Sequence, residues 1–68
     1  MANFKKVNSE IKKLLDLDLE VVRGEGYVWF DGDEVPSIYV HPVTTETDVM
    51  VQIVWNHLID HLLKLDHS

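Results

Sequence analysis

The stretch of residues 27–41 limits the fold most, because its pattern predicts two β-strands joined by a turn. Residues 27–30 read Tyr-Val-Trp-Phe and are apolar on both faces, whereas residues 37–41 read Ser-Ile-Tyr-Val-His and alternate. Successive strand side chains point to opposite faces, so one face of the pair is aliphatic and the other is aromatic. The aromatic face consists of Tyr27, Trp29, Tyr39 and His41.

A helix is predicted ahead of the strands, since apolar residues recur there with the spacing of one helical face. Asn3 suits the N-cap position, and Lys12 and Lys13 suit the negative end of the helix dipole. The apolar residues of this helix are Phe4, Val7, Ile11, Leu14 and Leu15.

Residues 16–23 alternate apolar and polar side chains, which predicts a further strand before the central pair. Residues 24–26 read Gly-Glu-Gly and are typical of a tight hairpin turn. A phosphate-binding glycine loop would open a helix, whereas this one leads into a strand. Asp31 and Gly32 predict the next turn, and Pro36 delays the start of the following strand.

Residues 45–65 predict a second helix with Thr45 as its N-cap. One broad apolar stripe marks its core side, while Val49, Ile53 and Leu63 add apolar groups to the other side. A helix that is apolar on more than one side is usually buried on more than one side. Self-association would bury the excess, so the sequence predicts a homodimer. The stripe is formed by Val51, Val54, Trp55, Leu58, Leu62 and Leu65.

These elements predict a single α+β domain spanning residues 1–68, in the order αβββα. Short connections favour a three-stranded antiparallel meander with both helices packed on one face. The sheet would contribute Leu19, Val21, Val28, Phe30, Ile38 and Val40 to the core. The helices would contribute Phe4, Val7, Ile11, Leu14, Val54, Leu58 and Leu62.

The charge of the chain limits its partners. The formal net charge is −6, and residues 16–68 carry only two Lys or Arg residues against eleven carboxylates. Binding to a nucleic-acid backbone depends on Lys and Arg, so we predict no direct contact with nucleic acid. Cysteine is absent, and neither a signal-like start nor a membrane-length apolar run is present. This predicts a cytoplasmic protein that makes no membrane contact.

The aromatic face is the candidate functional surface. Tyrosine and tryptophan are enriched at protein interfaces. The predicted border of this face consists of the carboxylates Glu20, Glu25, Asp31, Asp33 and Glu34. The combination predicts a protein partner with a basic surface, such as a nucleic-acid-handling complex whose phosphates the carboxylates would imitate. Coverage of the rings by a dimer mate is the alternative. The predicted protein-binding residues are Tyr27, Trp29, Tyr39, His41, Arg23, Asp31, Asp33 and Glu34.

Little in the sequence points to catalysis or to a bound metal. None of the serines lies in a recognisable catalytic motif, so we predict no catalytic residues, no cofactor and no enzyme activity. His57 and His61 have the i, i+4 spacing of two zinc ligands, but a structural zinc site normally needs four. The acidic turn after Asp31 invites a calcium loop, yet Pro42 stands where the loop's last glutamate would be. We therefore predict no metal site.

Residues 23–30 read Arg-Gly-Glu-Gly-Tyr-Val-Trp-Phe, and residues 37–40 read Ser-Ile-Tyr-Val. Over roughly residues 10–60, this pattern resembles small phage- and prophage-encoded αβββα proteins of unknown function. The resemblance implies a phage accessory protein, such as an inhibitor of a host protein, acting in the host cytoplasm. The αβββα order and the run Val-His-Pro at 40–42 also resemble the double-stranded-RNA-binding fold and its mRNA-cleaving toxin relatives. That second resemblance implies the alternative of a small RNA-binding or nuclease-like domain.

Overall fold

The computed structural model describes residues 2–32 and 34–66. Its elements follow in the order α1 (Phe4–Leu15), β1 (Glu20–Arg23), β2 (Val28–Asp31) and α2 (Thr47–Asp66). The predicted α+β class is confirmed, but the sheet is smaller than predicted. Neither helix of the described chain combines the length and the hydropathy that a membrane crossing requires.

α1 is capped at both ends. At its start, the Asn3 side chain accepts a hydrogen bond from the Lys6 amide at 3.3 Å, as predicted for the N-cap. At its end, Asp16 has a φ of 49° and donates its amide to the Lys12 carbonyl at 2.9 Å. This left-handed residue satisfies a carbonyl of the last turn. The strand predicted over residues 16–23 is therefore shorter than expected, since residue 16 caps the helix and β1 spans Glu20–Arg23.

β1 and β2 form the only extended pair in the described chain, an antiparallel hairpin. At its turn, the Gly24 amide donates to the Tyr27 carbonyl at 2.9 Å. Gly26 takes a φ of 74°, which glycine adopts more readily than any residue with a Cβ atom. Residues 24–26 therefore make the predicted hairpin turn.

The third strand predicted over residues 37–41 does not form as a ladder. Among the described residues, its pairing with β2 is a single bridge between Val28 and Ile38. Each of these two residues donates its amide to the other's carbonyl at 2.8 Å. In place of the predicted three-stranded meander, the chain has a two-stranded sheet with one bridged segment at the β2 edge.

Local chemistry stops the ladder on both sides of that bridge. Hydrogen-bonded positions in an antiparallel pair recur two residues apart, so the next pairs would involve Pro36 and Val40. Pro36 has no amide hydrogen, and its carbonyl accepts a hydrogen bond from His57 Nε2 at 2.7 Å. The Val40 amide turns back to the Ile38 carbonyl at 3.0 Å. Neither further pair is therefore available.

The core lies between the inner face of the hairpin and the two helices, with α1 in contact with both α2 and β1. Leu14, predicted as a core residue, is exposed in the last helical turn of α1. Met50, which was not predicted, is fully buried. Leu65 lies outside the residues whose side chains are described. The buried apolar residues are Ala2, Val7, Ile11, Val21, Val28, Phe30, Met50, Val54 and Leu58.

α2 begins one residue later than a Thr45 cap would require. Its first helical hydrogen bond runs from the Met50 amide to the Glu46 carbonyl at 2.9 Å, which places Glu46 at the N-cap. The Thr45 hydroxyl donates instead to the His41 carbonyl at 2.7 Å. Thr45 therefore orders the turn that precedes α2, and the prediction of a Thr45 cap is wrong.

Candidate functional site

The hairpin presents one face to the core and the other away from it. Val21, Val28 and Phe30 point inward and are buried, so their strand neighbours point outward. We call this second side the outer sheet face. It is formed by Glu20, Val22, Tyr27, Trp29 and Asp31.

The two rings of the outer sheet face remain open to solvent. Trp29 is 37% exposed and Tyr27 is 36% exposed, which is a large fraction for side chains of this size. By comparison, Trp55 on α2 is partly buried and packs against the apolar core. More than a third of the surface of Tyr27 and of Trp29 is thus accessible to a partner.

Gly24 fixes where the Tyr27 ring lies. A Cβ atom at residue 24 would collide with three carbon atoms of that ring, so the ring lies directly over the glycine. The missing side chain at Gly24 lets the ring lie flat over the hairpin turn. The Gly-Glu-Gly sequence thus has two uses, since Gly26 supplies the positive φ and Gly24 supplies the space.

Two carboxylates face each other across the hairpin. The strand register pairs Glu20 with Asp31, and Val22 with Trp29, on the same face. Like charges directly opposite each other destabilise a sheet. Glu20 was predicted at the border of the aromatic face but not among its binding residues, and the structure places it on the face itself. Once residues 24 and 27 pair, counting outward brings residues 20 and 31 together.

We expect removal of one of these charges to stabilise the fold. Asp31→Asn should raise the free energy of unfolding by about 0.5 kcal/mol, because it relieves repulsion between exposed carboxylates. Urea denaturation at low salt measures the change, and added salt should shrink it. Glu25→Gln, in the turn and without a cross-strand carboxylate, is the matched control. A loss of stability in Asp31→Asn would contradict the interpretation.

The other predicted site residues lie in separate places. Tyr39 follows the bridge at Ile38 and is 89% exposed, outside the ladder. Arg23 and His41 line one cavity of about 400 Å³ beside the hairpin turn. Glu34 is exposed in the loop after β2. Asp33 lies outside the described residues. The structure therefore brings together Tyr27, Trp29 and Asp31, with Arg23 and His41 next to the turn.

A larger cavity, of about 490 Å³, lies between α1 and the edge of β1. Its lining mixes cations with carboxylates, including Lys5 and Lys12 beside Asp18 and Glu20. Such a mixture lacks the uniformly positive groove that tracks a nucleic-acid backbone.

His57 of α2 contacts both the hairpin and the segment that bridges to it. His57 donates from Nε2 to the Pro36 carbonyl, and its ring stacks on Phe30 with centroids 5.8 Å apart. His57 therefore holds the bridged segment against α2. No group of three or more metal-ligating side chains occurs in the part of the chain that the structure describes.

The chain was compared with known proteins at the level of sequence and of structure. No protein-family model, no curated protein and no solved structure matches it. The resemblances to phage-encoded proteins and to RNA-binding folds therefore stay predictions.

Proposed function

We propose that this chain is a small acidic protein–protein interaction module. Its outer sheet face binds a basic surface on a partner protein, as a phage-encoded inhibitor of a host protein would do. The observation that carries the proposal is that two partly exposed aromatic rings and two facing carboxylates share one face.

The rings would provide the apolar centre of the interface. Residues that contribute most to binding energy are enriched in tryptophan and tyrosine and lie in water-excluded centres. Trp29 is in the second strand of a hydrogen-bonded hairpin, and Tyr27 lies over Gly24 at its turn. Because the backbone already holds both rings, little conformational entropy would be lost when a partner covers them.

The carboxylates would select the partner. Glu20 and Asp31 are exposed and face each other, and Glu25 adds a third acid at the turn. A Lys or Arg of a partner would relieve the repulsion between the facing pair when it binds. The net charge of −6 would also attract a basic protein over a distance of about a Debye length. A basic partner is therefore favoured over an acidic or neutral one.

We expect Trp29→Ala to weaken binding to the partner by about thirtyfold, which corresponds to about 2 kcal/mol. The partner is first captured on the immobilised wild-type chain and identified, and its affinity is then measured by calorimetry with the purified protein. Leu14→Ala is the control, because this side chain is exposed on α1, which packs on the core side of the hairpin. Far-UV circular dichroism should be unchanged in both variants.

Two outcomes would contradict the proposal. Equal affinities of Trp29→Ala, Leu14→Ala and the wild-type chain would show that the hairpin face is not the binding surface. Tight binding of labelled RNA by the wild-type chain, lost in His41→Ala, would instead favour the RNA-binding or nuclease-like alternative. We expect no such binding, because exposed carboxylates repel a phosphate backbone.

A further inference from the structure

Three exposed residues form a line along α2 on the side opposite the core. Val49 is 50% exposed and Leu63 is 53% exposed, and exposed Asn56 lies midway between them. Successive members are seven residues apart, so at 100° per residue they stay within about 40° of one another around the helix. The fully buried residues of α2 lie roughly opposite this line. They are Met50, Val54 and Leu58.

This line is self-complementary. When two α2 helices lie antiparallel about a two-fold axis at Asn56, Val49 of one copy meets Leu63 of the other. The two Asn56 side chains then meet at the axis, and an amide is both a donor and an acceptor. Asn56 Oδ1 accepts from Gln52 Nε2 at 3.0 Å and has a second lone pair with which to accept from the other copy. The Asn56 NH₂ group provides the donor. A single central asparagine between apolar residues is a known device for setting the register of paired helices.

Charge favours this surface over the hairpin for contact between two identical chains. Each copy carries a net charge of −6, so acidic surfaces of two copies repel each other. Beside the line on α2, Asp60 pairs with Lys64 at 3.1 Å, and the two charges cancel. The outer sheet face instead has two carboxylates, Glu20 and Asp31, directly opposite each other. Two copies therefore approach at lower electrostatic cost through α2.

We propose that two copies of the chain associate through Val49, Asn56 and Leu63 of α2, antiparallel about a two-fold axis at Asn56. In this homodimer the outer sheet face remains exposed on each copy. The dimer mate therefore does not cover Tyr27 and Trp29, which stay available to another protein. This inference is independent of the proposed function, since either surface can be used without the other.

Opposite charges placed at residue 56 test the two-fold axis. Asn56→Asp and Asn56→Lys should each raise the dimer dissociation constant by about tenfold or more, because each places like charges face to face. An equimolar mixture of the two variants should recover the association as a heterodimer. Sedimentation equilibrium over a wide range of concentrations measures all three samples beside the wild-type chain.

Ser9→Asp and Ser9→Lys are the matched controls, since Ser9 is exposed on α1. We expect both to self-associate like the wild-type chain. Circular dichroism of the residue 56 variants should retain the wild-type helix content, because Asn56 is exposed. A wild-type chain that stays monomeric at every concentration would overturn the proposal. So would a mixture of the two residue 56 variants that associates no better than either variant alone.

Discussion

Replacing Gly32 with alanine is expected to remove most of the protein's free energy of unfolding. Gly32 has a φ of 119°, a conformation that residues with a Cβ atom rarely adopt. An added Cβ atom would lie 2.7 Å from the Asp18 carbonyl oxygen and 3.2 Å from the Leu19 Cα atom. Both neighbours are backbone atoms, so no side chain can move to make room. Backbone strain and overpacking together should cost about 4 kcal/mol.

That loss is large relative to the expected stability of the chain. A domain of 68 residues without disulfides typically has a free energy of unfolding of about 5 kcal/mol. Gly32 follows β2 and packs against the segment that leads into β1. The alanine variant would therefore push the two ends of the hairpin apart and separate its inner face from α1.

Gly26→Ala provides the comparison for Gly32→Ala. Gly26 also has a positive φ, of 74°, but an added Cβ atom would meet nothing within 4 Å. The free energy of unfolding of this variant should fall by only about 1 kcal/mol, because alanine disfavours a positive φ. Urea denaturation followed by circular dichroism measures both. Equal losses in the two variants would mean that the contact with Asp18 has no energetic importance.

Hydrophobic periodicity and local capping chemistry were sufficient to predict the helices. α1 follows from the spacing of Val7 and Ile11 and from the Asn3 cap, both of which involve residues within the same segment. α2 follows from its apolar stripe, although its start was displaced because the Thr45 hydroxyl bonds to the His41 carbonyl. Local signals therefore predict that a helix forms, while a contact with the preceding turn sets the residue at which α2 begins.

The alternation of residues 37–41 predicts a longer strand than the one that forms, because alternation carries no information about hydrogen-bond partners outside the segment. Residues 37–41 do alternate, and Ile38 does bridge to Val28. Ladder length, however, depends on which amides and carbonyls remain available. The Pro36 carbonyl is taken by His57, which is distant in sequence, and the Val40 amide by Ile38. The proline was visible in the sequence, but the contact with the helix was not.

The candidate site could be predicted in part. Tyr27, Trp29 and Asp31 share a face because the two-residue period of a strand is local. Glu20 joins them only through the register of the hairpin, which the predicted turn already implies. Tyr39 was predicted on the same face because a full third strand was expected, and it lies outside the ladder because that strand does not form.

A side chain of α1 takes the place of a neighbouring strand at β1. Asn8 Oδ1 accepts the Val21 amide at 2.6 Å, and Asn8 Nδ2 donates to the Val21 carbonyl at 3.0 Å. The same Nδ2 group donates to the Phe4 carbonyl at 2.9 Å within the helix. Asn8 thus reproduces both hydrogen bonds that a third strand would make to Val21. No local pattern predicts this contact, because it joins residues 13 apart in different elements.

Asn8→Ala should lower the free energy of unfolding by about 2.5 kcal/mol. Loss of the side chain leaves a partly buried amide and carbonyl of Val21 without partners, at a cost of about 3 kcal/mol. The higher helix propensity of alanine offsets about 0.5 kcal/mol of that cost. Urea denaturation measures the difference, with the adjacent exposed Ser9→Ala as the control.

Asn8→Asp distinguishes the contributions of the two hydrogen bonds to Val21. The aspartate can still accept the Val21 amide, but its second oxygen would face the Val21 and Phe4 carbonyls, which are also acceptors. We expect this variant to be at least as unstable as Asn8→Ala, although it has nearly the shape of the wild-type side chain. Ser9→Ala should be neutral or slightly stabilising. Near-wild-type stability of Asn8→Asp would show that the amide donor does not hold α1 to β1, and that apolar packing alone joins the helix to the hairpin.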